Sequence, residues 1–314
     1  MTSRGVWLAV CLTTAAAGCS PSAPAVPVVM LTTHSSPGGG SDVFLRELAP
    51  HLGRYLEATF VVENVQGGSG AKAMAALAQA TPDGRTFYAT TPTFVYTSLL
   101  SQPAVTYREL EPIVNIFFDP EVVYTAAGSP YESLGDVIAR ARQGGGRWGA
   151  ANPASLERQT LERIKQLTGV TAAIATFEGG GDMMLNVLNG TLDMGIGELQ
   201  ELRGQLEAGN IRLLAVIGDE RLTQLPEVPT AREQGVDLAV RKFRGVAGPK
   251  GTPPDVIAEW ERAVPQLLAD AAYQKIYLAN NLQPGFMPHE DYVKFIDGFG
   301  RETIQFLKQS GVIQ

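Results

Sequence analysis

The chain reads as an α/β protein built from two domains. Three observations predict it. Short β-type runs alternate with helix-period segments along most of the length, which is the pattern of parallel βαβ units. Three glycine clusters stand where a strand hands over to a helix. The 314 residues, 45% of them hydrophobic, are enough for more than one core.

The elements follow in order. Residues 28–31, 60–63 and 86–89 read as strands, each followed by a helical pattern, over 42–56, 71–80 and 93–99. A second series has strands at 121–124 and 147–150, with helices at 134–143 and 156–168. It continues with strands at 172–176, 194–196 and 213–216, and a helix at 182–189 between the first two of these. The last part turns helical over 255–270, 271–279 and 289–310. No internal repeat, heptad pattern or low-complexity tract interrupts the series.

The N-terminus has a different character. A lone Arg4, a short apolar run from Gly5 to Ala17, and Ala16-Ala17-Gly18-Cys19 together look like a bacterial lipoprotein signal. The run is too short to stay across a bilayer, so removal of the segment before Cys19 is expected, with the thiol carrying the lipid. Residues 1–19 are thus read as signal and lipidation site, and 20–27, with three prolines among small residues, as a flexible tether. The expected place is periplasmic or extracytoplasmic, held at a membrane face through Cys19.

Charge and cysteine content exclude several functions. The chain has 25 Lys and Arg against 32 Asp and Glu, and loss of the signal removes Arg4 and no acid. An acidic body argues against a nucleic-acid partner. Cys11 falls inside the signal and Cys19 ends it, so the body has no disulfide, thiol nucleophile or cysteine metal site. His34, His51 and His289 lack the spacing of a helix-borne zinc site. No metal and no cofactor are expected.

The glycine corners carry the functional reading. They are Ser35-Ser36-Pro37-Gly38-Gly39-Gly40-Ser41-Asp42, Asn64-Val65-Gln66-Gly67-Gly68-Ser69-Gly70 and Phe177-Glu178-Gly179-Gly180-Gly181-Asp182. Glycine lets the backbone turn sharply and approach a ligand, and free amides at a helix start form a seat for an anion. In an open sheet such corners gather at the carboxyl ends of the strands. The second cluster is not a nucleotide loop, because Ala71 separates Gly70 from Lys72 and no Ser or Thr follows the lysine. GxGxxG and GxSxG motifs are missing, and His34 is read as a structural hydrogen-bonder rather than a base.

In sequence, these loops resemble those of the Bug-type extracytoplasmic solute receptors, the binding components of tripartite tricarboxylate transporters. Pro37-Gly38-Gly39-Gly40-Ser41-Asp42 and Val62-Glu63-Asn64 with Gly67-Gly68-Ser69-Gly70 carry the match. Thr81-Pro82-Asp83-Gly84, Glu111-Pro112-Ile113, Gly190-Thr191-Leu192-Asp193 and Leu213-Leu214-Ala215-Val216 continue it. Leu225-Pro226-Glu227-Val228-Pro229-Thr230 and Pro249-Lys250-Gly251-Thr252-Pro253 complete it. The resemblance implies the two-lobed type II periplasmic-binding-protein fold, each lobe a mixed sheet flanked by helices. It places crossing strands near Val122 to Ala126 and Phe243 to Ala247. One lobe is then expected over 28–125 and 247–314, and the other over 126–246.

By position in the family's motifs, the first lobe is expected to contribute Ser35, Gly38, Gly39, Ser41, Asp42, Gly67, Gly68, Thr91 and Thr93. The second is expected to contribute Ala151, Asn152, Ser155, Gly180 and Glu198. Asp42 is assigned to orienting the loop amides, since a carboxylate facing an anionic ligand repels it. Ser35 and Phe243 depart from the aromatic residue and the tryptophan many members have there. Arg158, or Arg244 in the basic run Arg241-Lys242-Phe243-Arg244, is the expected partner of a distal acid group, although such a run usually marks an exposed face.

The function so implied is that of a monomeric, non-enzymatic receptor. It would take a small organic carboxylate, a di- or tricarboxylate or related acid, and deliver it to the permease subunits of such a transporter. A sensor presenting its closed form to a kinase is the alternative. An enzyme is disfavoured, because no nucleophile is paired with a base.

Overall fold

A computed structural model describes residues 26–314. The expected signal, the lipidation of Cys19 and tether residues 20–25 lie outside the described residues. Among those described, no helix is long and apolar enough to cross a membrane.

The chain opens with β1 (Val28–Thr33), α1 (Gly40–Leu52), β2 (Thr59–Asn64), α2 (Ala71–Gln79), β3 (Thr86–Thr90), α3 (Pro92–Leu100) and β4 (Leu110–Asp119). It then builds β5 (Glu121–Ala126), α4 (Leu134–Arg142), β6 (Gly146–Ala151), α5 (Leu156–Thr168), β7 (Ala172–Phe177), α6 (Gly180–Leu188), β8 (Met194–Glu198), α7 (Leu199–Glu207) and β9 (Ile211–Val216). It returns through β10 (Lys242–Pro249), α8 (Pro254–Ala269), α9 (Ala271–Ala279), β11 (Gln283–Met287) and α10 (His289–Gln309).

These strands form two mixed sheets, ordered β11-β4-β10-β3-β1-β2 and β7-β6-β8-β5-β9. β1 runs parallel to β2 and β3, and β6 parallel to β7 and β8, as βαβ units require. The returning strands β10 and β5 are antiparallel to their neighbours. Helices cover both faces of each sheet, so successive strand residues enter different cores. Phe87 and Phe117 pack with Phe44 and Trp260 on one face of the first sheet. Tyr88 and Phe118 pack with Phe94 and Tyr292 on the other. Val122 and Val123 divide the second lobe in the same way.

The crossings fall short of the expected segments. Val122–Ala126 lies wholly in the second sheet, paired to β8 and β9, and Phe243–Ala247 wholly in the first. The chain changes lobes at Pro120, the single residue between β4 and β5. It changes back between Val240, whose amide bonds the Ile217 carbonyl, and β10. The sequence reading also has no counterpart of β4, α7 or β11. β4 is an interior strand, Leu-Glu-Pro-Ile-Val-Asn-Ile-Phe-Phe-Asp, buried on both faces at all but one position, so it shows no polar alternation. Its Pro112 sits opposite Ala247, where the register shifts, a place that tolerates a missing amide hydrogen.

Candidate functional site

The first glycine corner leaves the carboxyl end of β1 and enters α1 through Gly39, which has no side-chain cap. Asp42 organises it. Its Oδ2 accepts the Gly38 amide at 2.9 Å, and its Oδ1 accepts Asn64 Nδ2 and Arg46 Nε, each at 2.9 Å. Asn64 Nδ2 also donates to the Ser35 carbonyl, which ties the corner to β2. Burial pushes the Asp42 carboxyl up, but the bonds from Arg46, Gly38 and Asn64 hold it below the usual range. Across the cleft, Gly179 opens α6 without a cap and Ser155 caps α5 by accepting the Arg158 amide at 3.1 Å. Asn152 holds a left-handed φ of 58° at the end of β6, and its amide bonds the Phe177 carbonyl.

The two sets of corners face each other and nearly touch. A Cβ on Gly39 would lie 3.6 Å from the Gly180 amide nitrogen, and one on Gly179 would overlap Ser36. The glycines here permit close approach of two backbones. What remains between them is a cavity of about 20 Å³, room for a single water. The lobes are closed. Ion pairing of Arg203 with Glu47 at 3.3 Å, between α7 and α1, and Arg163 over the Phe306 ring at 5.1 Å hold the rim.

Most of the residues expected from sequence meet at this cavity. Ser35, Ser41, Thr91 and Thr93 line it from the first lobe, and Ala151, Asn152, Gly180 and Glu198 from the second. Gly39 abuts Ser35 directly behind the wall. Six do not line it. Gly38 is exposed, with its amide taken by Asp42. Asp42 is buried but turned to Arg46 and Asn64, which fits the orienting role. Gly67 and Gly68 lie outside because Gly67 turns its carbonyl to the amides of Gly70 and Lys72, and the corner folds over α2 instead. Ser155 is buried at its capping position. Arg158 points along α5, where its Nε and Nη2 bind Glu162 at 3.0 and 2.5 Å. It therefore reaches no ligand in the closed cleft.

A second correction concerns the basic run. Only Arg241 is exposed, lying over the Phe118 ring at 4.1 Å. Lys242 and Arg244 are buried on one side of β10, while Phe243 points to the opposite core. Arg244 gives Nε to Asp119 at 2.9 Å and Nη1 to Ser41 at 2.8 Å, and its Nη2 lies 2.9 Å from Glu198. Lys242 Nζ pairs with Glu121 at 3.1 Å and with Glu157 and Glu198. Oxygens of these three glutamates lie within 4.8 Å of one another, a spacing suited to a cation, and the lysine ammonium is the cation among them.

His34, Gly40, Glu157, Gly179, Glu201 and Lys242 also line the cavity and were not assigned to it from sequence. One signal was present. A Lys-x-Arg pair flanked by Phe243 and Gly245-Val246-Ala247 has strand period, and charges buried on a strand demand carboxylate partners. Burial sets the ionisation of the group. It raises Asp119, and takes Glu121 and Glu201 up to about 8. Glu157 is pushed up by burial too, but the charge and hydrogen bond of Lys242 outweigh this and hold it below the ordinary range. His34, brought down to about 4 by burial and then by Lys242 and Arg244, is neutral, with Nδ1 2.7 Å from the Tyr88 hydroxyl.

Two α/β lobes joined by two crossings of the chain, with helix starts converging on a shared cleft, define the periplasmic-binding-protein fold. Solved structures agree: BugD, a periplasmic binding protein, superposes with a TM-score of 0.84 at 21% identity, covering 91% of this chain and 98% of BugD. The chain belongs to the tripartite tricarboxylate transporter family receptors, whose model matches residues 44–311. Members are periplasmic solute-binding receptors, not enzymes. BugT of Bordetella pertussis is 28% identical over 270 residues, 83% of this chain and 82% of BugT. R. palustris Rpa4515, solved with adipate, has a TM-score of 0.84 and 25% identity, covering 92% of this chain and 99% of that one.

Proposed function

We propose that the protein captures a small organic carboxylate between its lobes and delivers it to the permease subunits of a tripartite tricarboxylate-type transporter. One observation carries this reading. Hydroxyls and helix starts from both lobes, among them Ser35, Thr91 and Thr93 facing Asn152 and Gly180, converge on a single cavity. Thr91 Oγ1 accepts the Thr93 amide, which leaves its hydroxyl hydrogen to donate to a ligand oxygen. The adipate bound to R. palustris Rpa4515 and the malate bound to MatC of Rhodopseudomonas palustris are carboxylates of this kind.

A cavity of about 20 Å³ is smaller than any such acid, so loading requires the lobes to part about Pro120 and the segment before β10. A ligand that touches both lobes then favours the closed form over the open one by its differential contacts. Lipidation at Cys19 belongs to the same reading and keeps the receptor beside the permease. Thermal unfolding of the purified protein with mono-, di- and tricarboxylates and amino acids tests it. Ligand at about 100 times its Kd stabilises by about 2.7 kcal/mol, a clear rise in Tm. Constant Tm across the whole panel at millimolar ligand would remove the proposal.

A further inference from the structure

We propose that the ligand carries a cationic nitrogen in addition to its carboxylate, so that the cleft selects an amino carboxylate over a di-acid of the same length. The inference rests on the receptor reading above and names the chemistry of its ligand. Around the cavity and its hinge wall stand five acidic side chains, Asp119, Glu121, Glu157, Glu198 and Glu201, and two cations, Lys242 and Arg244; burial raises Asp119, Glu121 and Glu201, while Glu157, on the cavity wall, is held in its charged form. The neutral His34 adds no charge. Both cations are already engaged: Lys242 by three glutamates, and Arg244 by Asp119, Glu198 and the Ser41 hydroxyl. Arg158, the cation expected to read a distal acid group, is bound to Glu162.

A second carboxylate on the ligand would thus meet Glu157 and Glu198 in a site closed to solvent, where Lys242 and Arg244 are already ion-paired. An ammonium meets the opposite situation. Glu157 is 4% exposed, lines the cavity, and its Oε2 accepts no hydrogen bond from the described residues. A buried carboxylate oxygen without a donor is costly to leave so, and a ligand N–H supplies the donor. The ligand carboxylate then lies toward Ser35, Thr91 and Asn152, and its nitrogen toward Glu157 and Glu198.

Isothermal calorimetry on the wild-type protein with matched pairs decides the matter: succinate against β-alanine, glutarate against γ-aminobutyrate, with aspartate and putrescine alongside. The expected result is at least about tenfold tighter binding of the amino acid in a pair, a ratio that shrinks in Glu157→Gln. Because the readout is a ratio within one protein, partial loss of folded variant does not imitate it. Di-acids that bind as tightly as their amino partners overturn this inference and leave the carboxylate receptor standing. Putrescine binding with no carboxylate bound refutes the receptor reading itself. Binding by none of the compounds overturns both.

Discussion

Replacing Lys242 by methionine keeps the length and apolar stem of the side chain and removes only its charge. In the structure the lysine side chain is 4% exposed and its Nζ pairs with Glu121, Glu157 and Glu198, whose side chains are 0–5% exposed. Deleting one partner of a buried ion pair typically costs about 3–5 kcal/mol, because the remaining charge is stranded. Here three carboxylates are stranded together, so the upper part of that range is expected wherever they are ionised. Protonation is their escape, and it fixes the pH dependence. Without the lysine charge, burial acts unopposed: Glu121, already at about 8, rises further, and Glu157, which Lys242 holds below 4.5, is pushed above it. A raised folded pKa contributes stability below the unfolded pKa that is lost as pH rises through the folded one. The deficit of Lys242→Met relative to wild type should therefore be small near pH 5 and full at pH 8. Urea unfolding at both pH values, with the slope checked for constancy, measures it. A deficit under about 1 kcal/mol at pH 8, or one equal at both pH values, would show that the lysine does not neutralise this cluster.

Two other substitutions separate binding from folding. Alanine at Gly180 places a Cβ 2.5 Å from Glu201 Oε2 in the closed cleft, while improving helix propensity in α6 by up to about 1 kcal/mol. Ligand affinity should fall at least about tenfold with Tm unchanged or raised, and calorimetry showing wild-type affinity would contradict the closed-cleft geometry. Arg158→Ala removes only a half-exposed i,i+4 pair with Glu162, so unfolding free energy should drop by no more than about 0.5 kcal/mol and ligand Kd should move less than about twofold. A tenfold loss of affinity would return Arg158 to the site.

The parts of the site legible in sequence share one property: their chemistry is local. Ser35, Ser41, Thr91, Asn152 and Gly180 sit at strand-to-helix corners, and the corner itself puts them at the carboxyl edge of a sheet. Corners that look alike in sequence need not do the same work. The Gly67-Gly68 turn closes on its own carbonyl, whereas the Gly39 and Gly179 turns meet each other. Arg158 and the Arg241 to Arg244 run lie elsewhere than the sequence suggested for a related reason. An arginine four residues before a glutamate on a helix satisfies itself, and a basic run on an interior strand points alternately to two different environments.

What the sequence determined alone is the class of fold, the order of its βαβ units and the positions of its glycine corners, because hydrophobic period and glycine's backbone freedom act over a few residues. Only tertiary structure decided where the chain changes lobes. It alone decided that β4, which shows no polar alternation, is an interior strand, and that Asp119, Glu121, Glu157, Glu198 and Glu201 gather around Lys242 and Arg244. Those residues are up to 125 positions apart, as Asp119 is from Arg244. Charge interactions act through space, and no local pattern in a chain records which distant carboxylate will be buried beside which cation.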